Sequence, residues 1–249
     1  MRVVRALVRS VPAAYRHATR RHDQPIDSDR ATAQHVAYQA ALRSAGFAVE
    51  ALAGDESLPD GIFVEDTAVI VGERVMMTRS ALPGRALERP PIAAALSARG
   101  LEVLHMTAGV CDGGDVLLVG GRLFAGISER TDAAGIAALA PLGLPITAID
   151  VPAGVLHLKC VCSPLGDDAI LLAEGTLDPA IFRGLQVHAV PFAEQWAANV
   201  VALGSRVVMG AGYPVAADRV SRAGYDPILV EVSEIEAGDG SMTCLSLRW

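Results

Sequence analysis

A thiol, an imidazole and several carboxylates recur at an almost constant interval along this 249-residue chain. From Asp66 the marked positions run to Asp112, His157, Asn199 and Cys244, at spacings of 46, 45, 42 and 45 residues. Cys244, His157 and Asp112 are by type a nucleophile, a general acid/base and a carboxylate that orients or charges the imidazole. Further acids stand at Asp60, Glu65 and Asp66, and the last two follow the apolar run Ile62-Phe63-Val64. A pair of acids entering a strand suits a cation better than it suits a core. Arg79 and Arg130, 51 residues apart, each follow an apolar hairpin and offer guanidinium forks for a carboxylate. Acids at one end and arginines at the other would fit a small amino acid with a cationic side chain.

These positions meet only if the elements around them repeat. Four times an apolar run, a Gly-containing two-residue turn and a second apolar run follow one another, at Gly72-Glu73, Gly120-Gly121, Gly166-Asp167 and Gly204-Ser205. Glycine supplies the positive φ of a tight hairpin turn. The turns lie 48, 46 and 38 residues apart, a spacing that marks structural repeats. After each hairpin a helix is predicted, over residues 91–99, 132–140, 178–185 and 215–222, and then a strand, over 101–105, 146–150, 187–191 and 228–232. A helix over 31–45 and a strand over 47–52 precede the first hairpin, so the fifth hairpin must be assembled from the termini, 243–249 beside 3–9. Five such units favour a closed radial array, which leaves no open sheet edge. The alternative is an ordinary α/β domain with coincidental turns. No linker or low-complexity run divides residues 1–249, and one domain is expected.

Each candidate also has a plainer reading. Cys244 could be a small buried apolar residue. Alternation with Leu156 and Leu158 puts His157 and Lys159 on one strand face, where His157 could be structural. Asp112 and Asp115 flank Gly113-Gly114 and could mark a turn or bulge, and the arginines could be solvated. Cys111, Cys160 and Cys162 are read as packing.

Composition narrows the classes further. With 28 acidic and 21 basic residues the net charge is −7, which gives no electrostatic footprint for nucleic acid or an anionic membrane. The longest uncharged stretch, residues 133–149, is broken by Pro141, Gly143 and Pro145, so no membrane span is expected. Arg2, Arg5 and Arg9 interrupt any signal-peptide core, and four cysteines without paired CxxC spacing suit neither a zinc site nor a disulfide scaffold. A reduced, cytoplasmic protein is expected, and a homodimer stays open.

Taken in order, Asp60 with Phe63-Val64-Glu65-Asp66-Thr67, Asp112-Gly113-Gly114-Asp115-Val116, Ser128-x-Arg130-Thr131, Leu156-His157-Leu158-Lys159, Ala197-Ala198-Asn199 and Asp239-Gly240-x-x-Thr243-Cys244 form a pattern. It resembles the dimethylarginine dimethylaminohydrolases of the guanidine-modifying pentein superfamily over nearly the whole chain. The resemblance implies a five-bladed α/β propeller of ββαβ modules with pseudo-fivefold symmetry. It also implies hydrolysis of Nω-methylated L-arginine to citrulline and a methylamine through a covalent thiouronium, with no metal and no cofactor. Carried over, Cys244 is the nucleophile, His157 the general acid/base and Asp112 its acidic partner. Glu65 and Asp66 would hold the guanidinium, Asp60 the amino-acid end, and Arg79 and Arg130 the α-carboxylate. The family's substrate-covering loop falls in residues 11–29, with Ala14 and Tyr15 nearest its lid residue. The competing readings are a deiminase acting on arginine or another guanidino compound, a non-enzymatic propeller binding protein, and a metal site built from Cys244, His157 and Asp112.

Overall fold

Each repeated unit folds into a small three-stranded sheet, and the computed structural model, which describes residues 3–249, contains five of them. Arg2 lies outside the described residues. Strand β1 (Arg5–Arg9) leads through helix α1 (Ser28–Ala45) to a parallel partner, β2 (Ala48–Leu52). Asp27 caps α1 by accepting from the backbone of Asp29 and Arg30, and Gly46, at a φ of 111°, ends it.

Four hairpin units follow. The first holds β3 (Ala68–Val71), β4 (Arg74–Met77), α2 (Arg89–Ser97) and β5 (Glu102–His105). The second holds β6 (Val116–Val119), β7 (Arg122–Ile127), α3 (Ala133–Ala137) and β8 (Ile146–Asp150). In the third, β9 (Cys162–Pro164) and β10 (Ala169–Ala173) connect to β11 (Gln186–Val190). Here only a 3-10 turn, Pro179–Phe182, forms where the sequence predicts a helix over 178–185. The fourth holds β12 (Val201–Leu203), β13 (Arg206–Gly210), α4 (Pro214–Arg222) and β14 (Asp226–Val230). A short α5 (Ser233–Ala237), absent from the predicted repeat, comes next. Strand β15 (Leu247–Arg248) then pairs antiparallel with β1, Leu247 opposite Leu7, so the fifth hairpin is indeed built from the two ends of the chain.

The middle strand of each sheet is apolar on both faces because each face meets a different neighbour. Along β10, Ile170 and Leu172 pack towards Leu117 and Phe124 of the second unit, while Leu171 and Ala173 pack towards Val207 and Met209 of the fourth. Val75 and Met77 of β4 likewise meet Leu7 and Leu247, whereas Met76 meets Val116 and Leu123. With Ala6 and Val8 of β1 against Val201 and Val208, five apolar clusters fill five interfaces and the ring is closed. The architecture is a five-bladed α/β propeller with pseudo-fivefold symmetry, in which continuous apolar runs are strands buried on both sides.

The hairpin strand nearest the axis is β15, β3, β6, β9 or β12. Each is preceded by a 3-10 turn: Thr243–Leu245, Val64–Thr67, Gly113–Asp115, Leu158–Cys160 and Phe192–Ala198. His157 and Lys159 therefore do not share the face of a strand, as alternation suggests; His157 is the residue leading into a 3-10 turn. The five turns gather around the axis and divide it in two. On one side lies a cavity of about 260 Å³ lined by the axial strands, with Glu65, Lys159 and Arg248 in its wall. On the other lies a pocket bordered by three of the marked residues, Asp66, His157 and Cys244.

Candidate active site

Asp60, Asp66, Arg130, His157 and Cys244 border one pocket of about 100 Å³, and Asp112 lies fully buried behind His157. Asp112 Oδ2 is 3.3 Å from His157 Nε2 and 3.9 Å from Arg130 Nη1. The other oxygen, Oδ1, is buried without a hydrogen-bond partner among the described residues. Asp115, one turn further on, accepts from the backbone N–H of Leu158 at 2.8 Å and from the hydroxyls of Ser128 and Thr131, each at 2.7 Å. A single carboxylate thus ties the turn that carries His157 to the loop that carries Arg130. Gly114 leaves the space that His157 needs, since a Cβ there would stand 2.7 Å from His157 Nδ1 and 2.9 Å from Asp66 Oδ1.

Asp66 accepts from Arg85 Nη1 at 2.7 Å and from the Gly114 backbone at 3.1 Å. Burial works against its charge, yet His157 and Arg85 outweigh that and hold the carboxyl below its ordinary pKa. Burial alone would also lower the pKa of His157. The charge of Asp66, the hydrogen bond to Asp112 and the charges of Asp115 and Asp112 prevail and hold it at about 9, so the imidazole is a cation at neutral pH. Cys244 moves the other way. Burial, then the charges of Glu65 and Asp66, push its thiol well above the ordinary value, so the free site holds a protonated thiol. Asp66, Asp112 and His157 each place one possible ligand atom within 4.8 Å of the others, a set that could hold a cation. That set contains Asp66 rather than Cys244, and Arg85 already compensates its charge.

Two expected residues are placed elsewhere. Glu65 turns away from the pocket into the axial cavity, where its carboxylate takes Lys159 Nζ at 2.7 Å, the Thr243 hydroxyl at 2.6 Å and Arg248 Nη2 at 3.2 Å. The cause is local: Val64–Thr67 is a 3-10 turn, whose successive side chains point about 120° apart, so adjacent acids cannot face one site. Arg79 is exposed and does not border the pocket. It bridges to Cys111 through its backbone, and its 51-residue separation from Arg130 exceeds the 48-residue offset between the two hairpin turns, so the two positions are not equivalent.

Arg85, which spacing did not single out, borders the pocket instead. It lies in the 3-10 turn Pro83–Glu88, a segment of the first unit that the repeat does not predict. Glu88 holds its guanidinium at 2.8 to 3.1 Å. The one sequence signal for it is the i,i+3 spacing of Arg85 and Glu88. The covering segment also differs from the expectation of Ala14 or Tyr15. Tyr15 is fully buried, with its hydroxyl on the carbonyl of Glu234 at 3.1 Å, and the residues over the pocket are Thr19, Arg20 and Arg21. Thr19 donates its N–H and hydroxyl to Asp60, both at 2.9 Å. Arg21 donates its N–H to Asp239 at 2.5 Å and its guanidinium to the carbonyl of Gly154 at 2.6 Å.

Comparison with known proteins places this geometry. Residues 9–189 match the family described as N,N dimethylarginine dimethylhydrolase, eukaryotic, a match that ends before Asn199 and Cys244. The N(G),N(G)-dimethylarginine dimethylaminohydrolase of Streptomyces coelicolor is 33% identical, over 90% of this chain and 88% of its own length. The Pseudomonas aeruginosa protein of the same name is 32% identical over 90% of both chains. Among solved structures, a cysteine-to-serine mutant of DDAH from Pseudomonas aeruginosa, complexed with citrulline, superposes with a TM-score of 0.92 at 31% identity and covers 100% of both chains.

Proposed function

Since the chain belongs to the dimethylarginine dimethylaminohydrolase family, whose members are hydrolases acting on guanidino C–N bonds, we propose that it converts Nω-methylated L-arginine to L-citrulline and a methylamine. The observation that carries this reading is the buried His157–Asp112 pair beside Cys244, in a pocket that also presents Asp66, Arg85 and Arg130.

The substrate guanidinium lies against Asp66, its α-carboxylate against Arg85 and Arg130, and its α-amino group against Asp60. Bringing a cation beside Cys244 offsets the acids that suppress its thiolate, and the thiol proton leaves to solvent. The thiolate attacks the guanidinium carbon and a C–S bond forms. The His157 imidazolium gives its proton to the departing nitrogen, the C–N bond breaks, and methylamine or dimethylamine leaves a thiouronium on Cys244. Neutral His157 then takes a proton from water. The hydroxide adds to the same carbon, the C–S bond breaks as the remaining hydroxyl proton passes to solvent, and citrulline and the thiolate are released. Asp112 keeps the imidazole oriented throughout, and its unpartnered Oδ1 can accept from an N–H of the reacting group. None of these steps requires a metal or organic cofactor.

The test is to incubate the protein separately with asymmetric dimethylarginine, monomethylarginine and arginine, measuring citrulline by mass, with Cys244→Ser alongside. Citrulline from the methylated substrates, lost in the variant, supports the reading. Citrulline mainly from arginine moves the assignment to a deiminase, and none from any of them refutes both.

A further inference from the structure

The motif Ala197-Ala198-Asn199 takes no part in the chemistry above, and Asn199 does not border the pocket. Its carboxamide is 2% exposed and fully engaged. Nδ2 donates to the carbonyl of Lys159 at 2.8 Å and to Thr243 Oγ1 at 3.0 Å, while Oδ1 accepts the backbone N–H of Thr243 at 2.8 Å. Thr243 precedes Cys244, and Lys159 lies two residues after His157. The circuit closes through Glu65, which accepts from the Thr243 hydroxyl at 2.6 Å and from Lys159 Nζ at 2.7 Å. The Lys159 ammonium donates in turn to the carbonyl of Gly113, next to Asp112, at 3.0 Å. All five units contribute one member.

We propose that Asn199 is a positioning residue, which sets the separation of Cys244 from His157 by holding Thr243 and the Lys159 carbonyl at once. The role rests on the assignment of those two residues as nucleophile and acid/base. Only a carboxamide suits it, because the position needs one acceptor and two donors on a single planar group. A carboxylate would set an oxygen against the Lys159 carbonyl, and an apolar side chain would leave the Thr243 N–H buried without a partner. The ring touches both reacting groups through backbone one or two residues away. Its loss displaces them by fractions of an ångström while Asp66, Arg85 and Arg130 keep their own partners.

The test uses Asn199→Ala, Asn199→Asp, Thr243→Val and Thr243→Ser in the full chain. For Asn199→Ala and Asn199→Asp, kcat for methylated arginine falls about 10- to 100-fold, the sensitivity expected of a reacting pair moved out of line, while KM stays within about threefold. Thr243→Val shows the same split, and Thr243→Ser recovers most of the lost kcat, since it restores the hydroxyl. The second readout needs no substrate: the pH midpoint for alkylation of Cys244 by iodoacetamide shifts in both Asn199 variants. An unchanged midpoint together with activity that merely tracks the folded fraction overturns the proposal and leaves Asn199 a packing residue. If Asn199 variants do not fold, the two Thr243 variants decide between these outcomes. If the unaltered protein makes no citrulline, the functional reading fails, and the alkylation profile still tests the ring.

Discussion

The proton on His157 is a measurable store of stability. An imidazole held from its ordinary 6.5 up to about 9 contributes about 3 kcal/mol to the folded state, at roughly 1.4 kcal/mol per pH unit. The group is buried, so little of this is screened by solvent. Because the folded-state pKa is the higher one, the contribution is complete below about pH 6.5 and disappears as the pH rises through about 9. The perturbation is His157→Gln, which keeps a polar side chain but cannot take a proton. Urea unfolding of both proteins from pH 6 to pH 10 isolates the effect as a difference, since groups common to both cancel. The advantage of the unaltered protein should shrink by about 3 kcal/mol across that window. Asp66 is the leading source of the upward pull, so Asp66→Asn should bring the upper end of the window below 9. A difference that stays flat, or a decline confined to the region below pH 6.5, would refute the claim that three carboxylates outweigh burial at this imidazole.

Arg79→Ala should leave KM within about twofold, as an exposed substitution does. Arg85→Ala should raise it at least tenfold and remove about 3 kcal/mol or more of stability in urea titrations, because Asp66 and Glu88 lose a buried counter-ion. Gly114→Ala should reduce kcat about tenfold or more through the contact its Cβ makes with His157, with circular dichroism unchanged; full activity would mean that His157 and Asp66 can yield. Under iodoacetamide at neutral pH, mass spectrometry should find Cys111 and Cys162 unmodified, since both are buried, and the half-buried Cys244, which borders the pocket, modified ahead of them.

Much of the propeller was legible in the sequence because each unit is one supersecondary repeat, and its Gly turns and doubly buried middle strands leave a periodic trace. Gly72, Gly120 and Gly204 share a φ of +60° at their hairpin turns, the common requirement that the spacing exposed. What the repeat does not carry was not legible. Arg85 comes from a segment peculiar to one unit. The division of labour between Glu65 and Asp66 depends on a 3-10 turn too short to leave a period. The covering segment is held by contacts such as Thr19 to Asp60 and Arg21 to Asp239, the second spanning 218 residues, and no local pattern encodes a partner so distant. The helix expected over 178–185 shrank to a 3-10 turn at Pro179, in a link only 12 residues long between β10 and β11.

Glu65, Lys159 and Thr243 bond to one another across the middle of the axis, between the axial cavity and the reacting pocket. Thr19 and Arg21, with their bonds to Asp60, Asp239 and Gly154, form part of the wall around the reacting side. In the proposed reaction the amine leaves first, because water must take its place before the second half of the reaction. If the proposed reaction requires those few bonds to open, their opening sets a ceiling on turnover that faster chemistry at Cys244 would not raise.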